Sequence, residues 1–235
     1  MHKFKVLVVI PARGGSKRLP RKNILPLNGK PMINWTIDAA LGVPDVTKVM
    51  VSTDCEKIAE VARNAGAEVP FLRPESLSND TSSSTDVVRH VLEYYQENGE
   101  VFNYVLLLQP TSPLRSANDI KSAIDLLKEK RANSVVSVTE CEHSPLWCNV
   151  LDDSLSMENF INTDIKNSRS QDLPTYYRLN GAIYLTNVSD FLEDGLFITR
   201  HKCFAYVMPS LRSIDIDHKL DYIIAEAIMK ESSNV

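Results

Sequence analysis

The sequence predicts an open, doubly wound α/β fold built on a mostly parallel sheet. Three observations lead there: short apolar runs rich in Val, Ile and Leu, helical patterns between them, and 235 residues at 43% hydrophobic, enough chain for one large domain. The opening run Lys5–Pro11 is closed off by Pro11 and Gly14, too short for a signal core or a membrane span, and reads as a buried strand. Further strands are expected at Lys48–Thr53, Glu68–Leu72, Tyr104–Leu108, Ser134–Thr139, Gly181–Thr186 and Phe204–Met208. The helices expected between and after them are Met32–Leu41, Glu56–Ala65, Thr85–Glu97, Ala117–Lys130, Ser189–Leu192 and Lys219–Lys230. Asp54 is placed to cap the second helix and Gly66 to end it. One stretch, Cys141–Arg178, is rich in Ser, Asn, Asp and Pro and keeps no period, too long for a plain loop in such a fold. It is expected to be an excursion, a small β-rich flap that crosses to another subunit.

Composition narrows the function. Lys plus Arg number 26 against 30 Asp plus Glu, a formal net charge of −4, so no global field draws nucleic acid or an anionic membrane. Four cysteines without a C-x-x-C, and five histidines off zinc spacing, argue for free thiols in a reducing compartment. A soluble cytoplasmic protein is expected.

Ligands of such sheets gather beyond the carboxyl ends of the strands. Five of the ten residues Arg13–Lys22 are basic, where 26 in 235 predicts about one, and Gly14 and Gly15 let backbone N–H groups approach an anion. This is a polyphosphate cradle in composition, with neither the Walker A nor the G-x-G-x-x-G pattern; a solvated basic loop is the bland alternative. After YVLLL comes Gln109-Pro-Thr-Ser-Pro-Leu-Arg115, with an amide and two hydroxyls at the strand end, or else a turn that caps the next helix. In Ser213-Ile-Asp-Ile-Asp217 an extended backbone would turn Asp215 and Asp217 to one side and Ile214 and Ile216 to the other, a hard-oxygen pair suited to Mg²⁺. The competing reading makes Asp217 a helix cap. Arg73 and Ser84 could reach a nucleotide, and Arg169 and Arg178 a carboxylate. Asn180 reads as a turn residue and Trp147 as packing.

The ordered segments IPARGGSKRLPRKN, VSTD, LRPESLSNDTSSS, LLLQPTSPLR, RLNGAIY and SIDID resemble those of the CMP-sialic acid synthetases, or N-acylneuraminate cytidylyltransferases, over nearly the whole chain. The resemblance implies a Rossmann-like domain, residues 1–140 and 179–235, with an inserted dimerisation subdomain, residues 141–178, that covers the partner's site in a homodimer. It implies an enzyme that joins CTP to a nine-carbon α-keto acid sugar with release of pyrophosphate. It further implies that Ala12, Arg13, Ser16, Lys22, Asn23, Arg73 and Ser84 hold CTP. Gln109 would lie at the sugar's reacting hydroxyl, and Asp215 and Asp217 would hold Mg²⁺ or Mn²⁺. Trp147, Arg169, Asn180, Tyr184 and Phe197 would line the sugar site. Trp147 departs from the Lys of many bacterial sialic acid enzymes and, with YRLNGAIY, is closer to the synthetases for CMP-legionaminic acid. Enzymes for sugar 1-phosphates or the eight-carbon keto acid are alternatives, as is a catalytically silent nucleotide-binding protein.

Overall fold

A computed structural model describes residues 4–162, 165 and 168–232. Residues 163, 164, 166 and 167, part of the expected excursion, lie outside the described residues. In chain order the elements are β1 (Val6–Pro11), β2 (Pro26–Leu27), β3 (Lys30–Pro31), α1 (Met32–Leu41), β4 (Val46–Ser52), α2 (Glu56–Asn64), α3 (Ser84–Glu97), β5 (Tyr104–Leu107), α4 (Ala117–Lys130), β6 (Ser134–Glu140), β7 (Tyr177–Asn187), α5 (Val188–Asp194), β8 (Cys203–Val207) and α6 (Lys219–Ser232). The main sheet has the order β4-β1-β5-β7-β6-β8; only β7 runs antiparallel to its neighbours.

Strand β1 shows why the sheet must be covered twice. Its alternate side chains go to opposite faces. Val6, Val8 and Ile10 pack with Ile33 and Ile37 of α1 and Ile120 and Ile124 of α4. Leu7 and Val9 pack with Val88, Val91 and Tyr95 of α3 and Phe191 of α5. Each fully buried Val or Leu contributes about 1.5–3 kcal/mol, so the continuous apolar run is what seats β1 in the middle of the fold. A third cluster joins Met32, Leu27, Ile216, Ala225 and Met229, which pins the SIDID segment and α6 against the β2–β3 hairpin.

Three expectations are corrected. Glu68–Leu72 is not a strand: Glu68 exchanges hydrogen bonds with Val49 and Val51, and Pro70, with no N–H to give, stops the ladder there. Strand β7 begins at Tyr177, upstream of the expected start at Gly181. Among the described residues no strand lies between Glu140 and Tyr177, so the described part of the excursion is irregular rather than β-rich, with single 3₁₀ turns at Pro145–Trp147 and Ser170–Asp172. Gly66 does end the second helix, at φ 92°. Among the described residues no helix is long and apolar enough to cross a membrane.

Strand β7 carries a bulge. The β6–β7 register passes from Val136↔Tyr184 to Val138↔Leu179, so Ser137 alone faces the segment Asn180–Ile183. Gly181 takes φ 74° there, a conformation that residues with a Cβ rarely adopt. The Ser137 hydroxyl repairs the interrupted ladder, donating to Asn180 Oδ1 at 2.6 Å and accepting from the Ile183 N–H at 2.8 Å.

Candidate active site

A cleft of about 550 Å³ opens beyond the carboxyl ends of β1 and β5. The basic loop after β1 forms one wall, and Arg13, Ser16, Lys22 and Asn23 all line it. The loop is held from below: the Asp54 carboxylate accepts from the Gly14 N–H at 2.8 Å, and the Asn23 amide donates to the Arg13 carbonyl at 3.0 Å. Asp54 is therefore not the cap of α2, whose N-cap position is Cys55 with no side-chain hydrogen bond. Ala12 is fully buried, with its N–H given to Ser52, so its side chain lies behind the cleft. A methyl group at Gly14 would stand 2.9 Å from Cys55 Cβ, which is why the loop needs glycine at that point.

The opposite wall comes from the segment before α3. Arg73 lines the cleft with its side chain only 4% exposed; its Nε donates to Ser78 Oγ at 3.2 Å and its guanidinium stands 3.9 Å from Asp54. Burial pulls the Arg73 pKa down, and Asp54 opposes the shift. Ser84 also lines the cleft, as the first residue of α3, one place after its cap Ser83. Asp80 was not foreseen. It accepts from Arg13 at 2.9 Å and also pairs with Lys17, so an acidic side chain occupies two cations of the basic loop. Those two cations pull the Asp80 carboxyl below its ordinary range, Lys17 most. Separations of over 60 residues leave no sequence signal for these pairs.

At the floor, Gln109 and Thr111 follow β5, and the Thr111 carbonyl accepts from the Ile216 N–H at 2.7 Å. That bond and the burial of Ile216 bring the SIDID segment up to the cleft. The side chain of Asp217 lines the cleft, accepting from Lys22 at 2.9 Å and Arg18 at 2.7 Å. Asp221, in the first turn of α6, reaches back to accept from the N–H groups of Asp217 and His218. Asp215 faces the β7 bulge instead: Gln109 Oε1 and Asp215 Oδ2 lie 3.4 and 3.9 Å from where a Cβ at Gly181 would be. Two carboxylates this close part in behaviour. Lys22 holds Asp217 below the carboxylate range, whereas desolvation, aided by repulsion from Asp217, pushes Asp215 above it.

The residues expected to meet a sugar divide. Tyr184 and Phe197 make an aromatic pair, centroids 5.7 Å apart, and burial followed by the Asp215 charge raises the Tyr184 pKa. Asn180 is 2% exposed and its amide is spent inside the protein, on Ser137, Ser213 and the Ala182 N–H, so it braces the bulge rather than facing the cleft. Trp147 and Arg169 belong to the excursion and do not line the cleft; Arg169 is well exposed and chelated by Asp172 at 2.9 Å. A second unforeseen residue is Arg115 at the end of QPTSPLR, buried beneath Gln109.

Known proteins resemble this chain in sequence and in fold. Residues 7–194 match the family model described as Cytidylyltransferase. The CMP-N,N'-diacetyllegionaminic acid synthase of Legionella pneumophila is 39% identical, the match covering 97% of each chain. The pseudaminic acid cytidylyltransferase of Campylobacter jejuni is 35% identical, again over 97% of each. The N-acylneuraminate cytidylyltransferase of Streptococcus agalactiae is 39% identical over 94% of this chain, which spans 52% of that longer protein. Among solved structures, CMP:2-keto-3-deoxy-manno-octonic acid synthetase complexed with CTP has a TM-score of 0.70 at 19% identity, covering 97% of this chain and 99% of that one, a likeness of fold.

Proposed function

The chain belongs to the cytidylyltransferase family, and from that premise we propose that it activates a nine-carbon α-keto acid sugar with CTP, giving the CMP-sugar and pyrophosphate. The observation that carries the reading is the cleft itself: a glycine-bearing basic loop faces Arg73 across a space for a nucleotide, with Gln109 and Asp217 at its end and Asp215 near Gln109 at the β7 bulge. The relatives named for legionaminic, pseudaminic and N-acylneuraminic acids support the sugar class. Within it we favour N,N'-diacetyllegionaminic acid, the sugar named for a relative that is 39% identical over 97% of each chain.

In this reading the anomeric hydroxyl attacks the α-phosphorus while the bond to the bridging oxygen of pyrophosphate breaks in line. Such a step asks the protein for positioning and charge stabilisation. Arg13, Lys17 and Lys22 take up charge on the leaving pyrophosphate. Gln109, unable to act as a base, orients the hydroxyl. Its proton passes to an Asp carboxylate at this end of the cleft. The aromatic pair of Tyr184 and Phe197, of which Tyr184 feels the Asp215 charge, is proposed to meet the sugar.

Asp215 and Asp217 fit a Mg²⁺ ion that takes one or two carboxylates and completes its shell with phosphate oxygens and water, and Mn²⁺ shares that preference. Among the described residues no group of three or more His, Cys, Asp or Glu could hold a metal alone, so the ion is expected to arrive with the nucleotide. Bound there, it would neutralise phosphate charge and polarise the phosphoryl group. We also place the chain in the cytoplasm as a homodimer, the exposed Arg169 of the excursion reaching the partner's sugar carboxylate. Arg169→Ala is then expected to raise KM for sugar far more than for CTP; equal effects would sink that role.

The test is pyrophosphate release from CTP and Mg²⁺ with N,N'-diacetyllegionaminic, pseudaminic, N-acetylneuraminic and 3-deoxy-manno-octulosonic acids, with ATP, GTP and UTP as nucleotide controls. Release with CTP and one nine-carbon acid supports the reading and names the sugar. Release with the eight-carbon acid alone, or with none, overturns it.

A further inference from the structure

We propose that Arg115 is a positioning residue for the transfer step, acting through Gln109. The inference rests on the proposed role of Gln109 at the sugar hydroxyl. Arg115 is 2% exposed and lies under the loop that follows β5. Its Nη1 donates to the carbonyl of Gln109 at 3.3 Å and to that of Ala182 at 2.9 Å. These carbonyls belong to the two segments whose groups meet over Gly181: the end of β5, which carries Gln109, and the bulge of β7.

The sheet itself does not join those segments at this level. The β5–β7 ladder ends at Leu107↔Tyr184, so Gln109 and Ala182 both lie past its last rung. One nitrogen bonding both carbonyls spans the gap and fixes their separation, and with it the approach of the Gln109 amide to Asp215.

Stability alone is a poor reason for this arginine. Its Nε and Nη2 are buried and make no hydrogen bond within the protein, and burial draws its pKa down to about 9 although Asp119 opposes the shift. An apolar side chain of similar volume would fill the space without desolvating a cation. It could not reach two carbonyls at once. Asp119 accepts hydrogen bonds from Arg212 at 2.9 Å and leaves Nε and Nη2 of Arg115 without one.

The experiment is a double-mutant cycle on the full chain with CTP, Mg²⁺ and the nine-carbon acid that wild type turns over fastest. Gln109→Ala, Arg115→Met, Arg115→Lys and the two combinations are compared by kcat, sugar KM and CTP dissociation constant. Expected is a fall in kcat of roughly 10- to 100-fold for Arg115→Met, as for a small misplacement of a reacting group, with CTP binding within about 2-fold of wild type. Arg115→Lys, which keeps a donor, should recover part of the rate. The double variants should be no slower than Gln109→Ala alone, because the two residues act as one unit. Losses that multiply, an unchanged kcat in Arg115→Met, or CTP binding that weakens in step with kcat would each overturn the role of Arg115. Where Arg115→Met fails to fold, the same comparison with Arg115→Lys decides. A silent wild type, or a fully active Gln109→Ala, removes the premise and is seen before any Arg115 variant is measured.

Discussion

Lys22 and Asp217, 195 residues apart in the chain, share a 2.9 Å hydrogen bond in the lining of the cleft, and the same Lys22 Nζ donates to the Ile216 carbonyl at 2.7 Å. The pair ties the basic loop after β1 to the segment before α6. Lys22 is 13% exposed, so its ammonium relies on these two acceptors for hydrogen bonds more than a surface lysine would. Asp217→Ala is expected to abolish pyrophosphate release while CTP still binds at reduced affinity. The fold should lose only about 1 kcal/mol, because Asp217 itself is 42% exposed and solvent screens the pair. Full activity in this variant would remove Asp217 from the site.

Asp80 holds Arg13 and Lys17, the cations that the reading assigns to phosphates. A nucleotide has to displace that carboxylate. Asp80→Ala is therefore expected to tighten CTP binding by a few-fold, about what one exposed ion pair is worth, and the gain should shrink as salt is raised. Titration calorimetry at two ionic strengths checks it; weaker binding would make Asp80 a support of the loop instead of a competitor.

Gly181→Ala tests the bulge. At φ 74° a side chain costs roughly 1–2 kcal/mol of backbone strain. The new methyl would also come into van der Waals contact with Gln109 Oε1 at 3.4 Å. The expected result is a kcat loss larger than the change in CTP affinity, with a Tm a few degrees lower. A variant that loses stability but keeps wild-type kcat would show that Gln109 tolerates displacement.

Asp215 gives a pH signature. A carboxyl whose pKa is higher folded than unfolded is harder to ionise in the folded chain. It therefore costs stability above its folded pKa, and that cost vanishes as pH falls below the unfolded value. Asp215→Asn is expected to raise Tm at neutral pH, with the difference closing through the acid range, and to lose activity. Differential scanning calorimetry between neutral and acid pH decides; a Tm difference that ignores pH would tie it to hydrogen bonding rather than charge.

The sequence by itself determined the class of fold and the chemistry of three loops. Both are local properties: an apolar run such as VLVVI, a helix spaced by its own side chains, or five cations beside two glycines is complete within a dozen residues. Only the tertiary structure decided how those pieces face one another. Nothing in RLNGAIY announces that β7 runs antiparallel, that four of its residues bulge against Ser137, or that Asn180 turns inward to Ser213 instead of toward the cleft. Asp54 reads as a helix cap until Gly14 is seen to donate to it, and Arg115 reads as the tail of a turn until the carbonyls of Gln109 and Ala182 converge on it. Ion pairs and clamps of this kind join residues 40 to 195 positions apart, and it is the packing of the sheet and its helices that brings them together.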